Sequence, residues 1–262
     1  MCKSKFIDSS KFNVNVYTEI MNVIDNNVYA GVFNVKNIIN TILSCKKYKV
    51  RLIPLIKSIE QNLSQQIDIR KGNLYNYIVK LLIREYKDKN YKILNDTHKD
   101  SIVEVDYLTG EHLEVDLFFE EVGEHEYNLV EIKTRDNHDT GKKKSIIISL
   151  KKLTQRFREI FGKVNSYLVY MEEESSENIH INLDKEHIKT GKEFFEEYLD
   201  MDIEDLYVTI EDIVNRFDVA EKYVFANNIF EDFFNHPLAY KKYVEKENYD
   251  IFEKIIKEYK KS

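Results

Sequence analysis

The run from Leu113 to Lys133, LEVDLFFEEVGEHEYNLVEIK, constrains this chain more than any other stretch. Two short apolar segments, Leu113 to Phe119 and Tyr127 to Lys133, flank a charged one, Glu120 to Glu126, that contains Gly123. The pattern predicts two strands joined by a turn. If the hairpin is symmetric about that turn, residues whose numbers sum to roughly 247 face each other, which sets Asp116 opposite Glu131. Side chains alternate along a strand, so Glu131 and Lys133 share one face while Val130 and Ile132 take the other. Like charges facing each other on adjacent strands destabilise a sheet, and a bound cation or a nearby lysine removes that penalty.

Two carboxylates with an ammonium beside them are what a metal-dependent phosphodiesterase needs. The carboxylates hold a divalent cation and the ammonium stands next to the attacking water. Glu-x-Lys recurs at Glu85-Tyr86-Lys87 and Glu258-Tyr259-Lys260, but both copies sit in segments that read as helix ends. Only the Glu131 copy ends an apolar strand and has a strand-borne Asp before it. The blander alternative is a surface ion pair worth about 0–1 kcal/mol.

Asp116…Glu131-Ile132-Lys133, followed by KTRDNHDTGKKKS, a helix and a strand, resembles the PD-(D/E)xK nuclease superfamily and, within it, a type II restriction endonuclease. Val115 stands where that signature often has Pro. The resemblance covers roughly residues 73–171. It implies an α/β (α+β) fold, a central mixed β-sheet flanked by helices, with helical N- and C-terminal regions. It further implies Mg²⁺ held by Asp116, Glu131 and the Ile132 carbonyl, and Lys133 orienting water for in-line attack on double-stranded DNA. Products with 5′-phosphates and a homodimer reading a short palindrome follow from the same resemblance. Arg135, Lys142, Lys143 and Lys144 would neutralise phosphates, and Asn137 or His138 would reach base edges.

Net charge is −7 over 262 residues, which taken as a sum opposes a nucleic-acid partner, but its distribution is uneven. From Thr134 to Lys163 nine Lys/Arg stand against three acids, whereas from Glu172 to Asp212 fifteen acids stand against three lysines. One basic island beside the candidate metal site suits an enzyme that engages DNA on one face. The plainer reading of Lys151, Lys152 and Arg158 is a solvated helix face.

With 43% apolar residues, seven Gly and two Pro, the sequence reads as a single domain over 1–262: a helical region 1–72, a core 73–171 and a mainly helical region 172–262. No apolar run reaches the length of a membrane span, and MCKSKFIDSSKF lacks the apolar centre of a signal peptide. Cys2 and Cys45 give neither a disulfide framework nor a zinc cluster, as expected of a reduced cytoplasmic protein.

Further along, Val35, Ile38, Ile39, Ile42 and Leu43 form an amphipathic stripe after Asn34 as cap. Helices are predicted on either side of Pro54 and over Asn73 to Lys87. Glu60, a helix carboxylate of the kind some superfamily members add to the metal site, reads as a surface residue. Strands are predicted at Tyr91–Leu94, Ile102–Tyr107 and Val164–Tyr170, with a turn at Leu108-Thr109-Gly110-Glu111. Ser145 is read as the cap of a helix from Ile146 to Phe161 that Gly162 ends, and Thr209-Ile210-Glu211-Asp212 as a capping box. Ile251, Phe252, Ile255, Ile256 and Tyr259 stripe the last helix, a candidate dimer surface and more often core.

Rival motifs fit less well. Asp106, in Glu104-Val105-Asp106, repeats the surroundings of Asp116, but pairing across the predicted turn sets it near His112 and away from Glu131. DNHDTGKKKS lacks the first Gly and the Ser/Thr that a phosphate-binding P-loop needs. No His pair has zinc-ligand spacing, and no Gly-x-Ser-x-Gly supports a serine nucleophile. A repair or recombination nuclease of the same fold, or a catalytically inert DNA-binding relative, stands as the alternative.

Overall fold

The computed structural model describes residues 12–47, 53–95, 102–106, 111–135, 140–236 and 238–261. In chain order the principal elements are α1 (Val14–Val23), α2 (Ala30–Phe33), α3 (Val35–Lys47) and α4 (Leu55–Lys87). Next come β1 (Tyr91–Ile93), β2 (Ile102–Asp106), β3 (Glu111–Glu114), β4 (Leu117–Glu121), β5 (Glu126–Lys133), α5 (Thr140–Phe161) and β6 (Val164–Tyr170). They are followed by β7 (Ile188–Thr190), α6 (Gly191–Phe194), α7 (Ile203–Arg216), α8 (Val219–Asn235) and α9 (Tyr249–Lys261). The fold is mixed α/β, a central sheet with helices about it, as the sequence predicted.

The chain groups into two compact units that interleave along the sequence. One takes residues 1–17 and 72–209; the other takes 18–71 and 210–262. The division read from sequence, with limits at 72 and 171, follows chain order, whereas the helical unit draws on two separate segments.

The first unit is built on a five-stranded sheet in the order β1-β4-β5-β6-β7. β1, β4 and β5 run antiparallel, and β5, β6 and β7 run parallel. The parallel β5–β6 pair needs a crossover, and α5 provides it. Opposite pairs Leu117↔Val130 through Glu121↔Glu126 follow the expected register about the turn. Gly123 takes a φ of +93° in that turn, where a side chain would be strained.

Alternation decides what each face covers. Phe118, Leu129 and Leu168 point to one side and join Leu150 and Phe157 of α5 in a buried cluster. The Phe118 and Phe157 rings meet edge to face at 4.5 Å. On the other side Phe119 packs edge-on against Tyr198, which follows α6. α5 ends where the sequence indicated: Gly162, at φ +84°, donates its N–H to the Arg158 carbonyl.

Several local expectations are corrected. The predicted strand Leu113–Phe119 is two strands, because the chain bends at Val115-Asp116; β3 pairs with β2 in a separate two-stranded sheet. There Asp106 faces Glu111, and it is Glu104 that faces His112. The predicted turn at 108–111 falls mostly outside the described residues. α5 begins at Thr140, so Ser145 lies within the helix and is not its cap. Thr209 sits inside α7, its hydroxyl donating to the Asp205 carbonyl, while the capping box forms at Thr190 and Glu193. The helices predicted beyond Pro54 and over 73–87 are one continuous α4.

The second unit is helical among its described residues. Asn34 caps α3 through a 2.8 Å bond from the Asn37 N–H. Tyr29 meets Phe217, and Phe33 meets Tyr223, joining the two segments of this unit. In α9, Phe252 and Ile256 are buried while Ile251 is exposed. No helix among the described residues is long and apolar enough to cross a membrane.

Candidate metal centre

Where β4 begins, a bend replaces strand pairing, and a buried amide holds it. Asn95, just past β1, donates from Nδ2 to the Val115 carbonyl at 3.0 Å and the Asp116 carbonyl at 3.4 Å. Its Oδ1 accepts the Phe118 N–H at 2.9 Å. Lys80 of α4 in turn donates to the Asn95 carbonyl at 3.0 Å. Val115 anchors the bend in the apolar cluster, and the next residue, Asp116, faces the end of β5.

The Asp116 carboxylate is fixed at both oxygens. Oδ2 accepts the Ile132 N–H at 2.8 Å, and Oδ1 accepts Asn76 Nδ2 of α4 at 2.7 Å. A strand residue turns its N–H and C=O to the same edge, so the Ile132 carbonyl faces the Asp116 side. Glu131 and Lys133 share a strand face, as expected. The Lys133 Nζ lies 2.5 Å from Glu131 Oε1 and 3.6 Å from Asp116 Oδ2. Burial opposes the charged form of Lys133, and the Glu131 and Asp116 carboxylates outweigh it, so the ammonium titrates above the ordinary lysine range. Asp116, Glu131, Ile132 and Lys133 are therefore brought together.

A second polar cluster lies where β5 and β6 end. Glu172 accepts from the Tyr75 hydroxyl at 2.7 Å and from Arg135 Nε at 2.6 Å. Its N–H bonds the Thr134 carbonyl, continuing the β5–β6 ladder. Burial and then the Glu172 hydrogen bond push the Tyr75 hydroxyl far above its usual range. The predicted phosphate contact Arg135 is thus tied to a carboxylate, with its side chain 62% exposed.

Lys142, Lys143 and Lys144 do not form the loop expected of them; they occupy the first turns of α5. Lys143 donates to the His180 carbonyl at 3.1 Å, and Lys142 and Lys144 are exposed. Arg158 is more than a solvated face, since its Nε donates to the Val164 carbonyl at 3.0 Å and ties α5 to β6. Asn137 and His138 lie outside the described residues. Glu60 pairs with Lys57 at 2.7 Å. Asn76, Asn95, Tyr75 and Glu172 were missed from sequence because no local spacing links them to Asp116 or Glu131.

The residues fit a hard divalent cation. Two carboxylates and a backbone carbonyl offer oxygen donors, and Asn76 adds a buried amide oxygen that has no hydrogen-bond partner. Among the described residues no group of three or more His, Cys, Asp or Glu side chains is placed to hold a metal, so an oxygen set here would need backbone and amide donors as well. No protein-family model matches this chain, and no curated protein is significantly similar to it.

Proposed function

We propose that this protein is a Mg²⁺-dependent endonuclease of the PD-(D/E)xK type, cutting double-stranded DNA as a type II restriction enzyme does and leaving 5′-phosphates. The observation that carries the reading is the convergence of Asp116, Glu131 and Lys133 at the end of β5. Sheet order and the α5 crossover accord with such a core. The ion, when bound, stabilises charge on the phosphate and favours ionised water. Asp116, held by Asn76 and the Ile132 N–H, presents a fixed carboxylate to it, and Glu131 presents a second. Lys133 holds the attacking water by donating to its oxygen.

Three lysines in the first turns of α5 oppose the helix dipole, a placement that costs stability until an anion approaches. A DNA phosphate is such an anion. Homodimerisation on a short palindrome and a cytoplasmic setting, in keeping with the unpaired buried Cys45, belong to the same proposal.

Digestion of a long duplex of known sequence, with Mg²⁺ and with EDTA, tests it. Discrete fragments with the ion, none with EDTA, and none from Asp116→Asn or Glu131→Gln are expected. An unchanged duplex under every divalent ion overturns the nuclease reading, and a smear favours a repair or recombination nuclease selecting DNA structure.

A further inference from the structure

We infer that Asn76 is a working member of the ion site. Its amide nitrogen fixes Asp116, and its amide oxygen serves as a neutral acceptor for the hydration shell of a cation held by Asp116 and Glu131. This rests on the proposal that the cluster binds a divalent ion.

The carboxylate dictates how the amide is oriented. A carboxylate oxygen is the acceptor of the 2.7 Å contact, so Asn76 Nδ2 donates to Asp116 Oδ1 and Asn76 Oδ1 is left as the other end of the same amide. That oxygen is buried and lacks a hydrogen bond. A buried acceptor left unmade is costly, and such atoms in folded proteins are ordinarily met by protein donors, water or an ion. Two nearby donors on α4 are engaged elsewhere: Tyr75 with Glu172 and Lys80 with the Asn95 carbonyl.

Neutrality suits the position. Asp116 and Glu131 already bring two negative charges around Lys133, and a third would add repulsion without being needed for an ion that keeps several of its waters. An amide supplies the oxygen alone. Its nitrogen also bonds one Asp116 oxygen, so one side chain both orients a ligand and completes the shell around it.

Mn²⁺ binding to the full chain, by calorimetry and by loss of the free-ion paramagnetic signal, provides a readout apart from cleavage. Asn76→Ala is expected to weaken Mn²⁺ binding by about 10–100-fold. Asn76→Asp restores an oxygen and adds charge, so it should bind Mn²⁺ more tightly than Asn76→Ala while melting at a lower temperature than the parent without ion. Asn76→Ala with parental Mn²⁺ affinity, whatever its melting temperature, overturns the role. The same holds if Asn76→Asp binds no better than Asn76→Ala. Asp116→Asn separates the two ideas: if it abolishes Mn²⁺ binding while Asn76→Ala does not weaken it, the ion site stands and the Asn76 role falls. A parent chain that binds no Mn²⁺ sinks both.

Discussion

Asn95 shows how much of the candidate site's geometry depends on a residue outside the Asp116, Glu131 and Lys133 side-chain cluster. It is 1% exposed, and its side chain bonds the carbonyls of Val115 and Asp116 and the N–H of Phe118. Asn95→Ala strands those backbone groups, and urea unfolding should show a loss of about 1–3 kcal/mol. A second expectation concerns alkali. Lys133, Tyr75, Tyr198 and Tyr207 all titrate above their ordinary values, with burial the first cause for the tyrosines. The folded chain therefore keeps protons that the unfolded chain releases from about pH 10 upward. Their contribution is complete below that pH and is lost as pH rises through the folded values. Unfolding midpoints measured from pH 8 to 11 should fall only in the upper part of the range, with phenolate absorbance appearing alongside unfolding. Phenolate signal from a chain that is still folded and equally stable would contradict this. The sequence exposed Asp116, Glu131 and Lys133 because strand alternation and a symmetric turn are local rules. It hid Asn76 and Asn95, since a hydrogen bond across forty residues leaves no periodic trace.

Among the elements, α4 and α5 carry the clearest lessons. A separate helix was expected to start at Asn73, yet α4 runs unbroken through Gly72. A Cβ there would meet only Thr134 Oγ1 at 3.8 Å, an ordinary contact. Gly72→Ala should therefore stabilise the chain by about 0.5–1 kcal/mol in chemical denaturation, and a loss of stability would show that close approach matters there after all. The start of α5 was misplaced because Lys142 to Lys144 favour neither cap nor dipole; a polar run of this kind reads as loop. Replacing all three by Ala should raise stability slightly through the helix dipole while weakening DNA binding. The salt slope of log K should drop by about 0.9 for each true phosphate contact. An unchanged slope removes these lysines from the DNA surface. The bend between β3 and β4 escaped notice for a different reason: LEVDLFF alternates well enough for one strand, and only the distant Asn95 amide breaks it.

At the scale of the molecule, the proposed ion site ties binding to stability. An ion that binds only the folded chain raises stability by about 2.7 kcal/mol at a hundred times its dissociation constant. Melting should therefore move upward with Mg²⁺ in the parent and not in a protein carrying Glu131→Gln; equal shifts in both would place the ion elsewhere. The grouping of helices into a unit made of residues 18–71 and 210–262 was not legible, because nothing in an amphipathic stripe names its partner. That grouping bears on how the chain is made. Tyr29 and Phe33 leave the ribosome about 190 residues before Phe217 and Tyr223, the rings they finally meet. At ~5–20 residues per second the interval is about 10–38 s. Through it the whole sheet, with Asp116 and Glu131, is synthesised while the early helices wait with apolar faces unmatched. Biogenesis of this chain thus has an order written into it: the sheet can close during translation, and the helical unit completes only once residues 210–262 have followed.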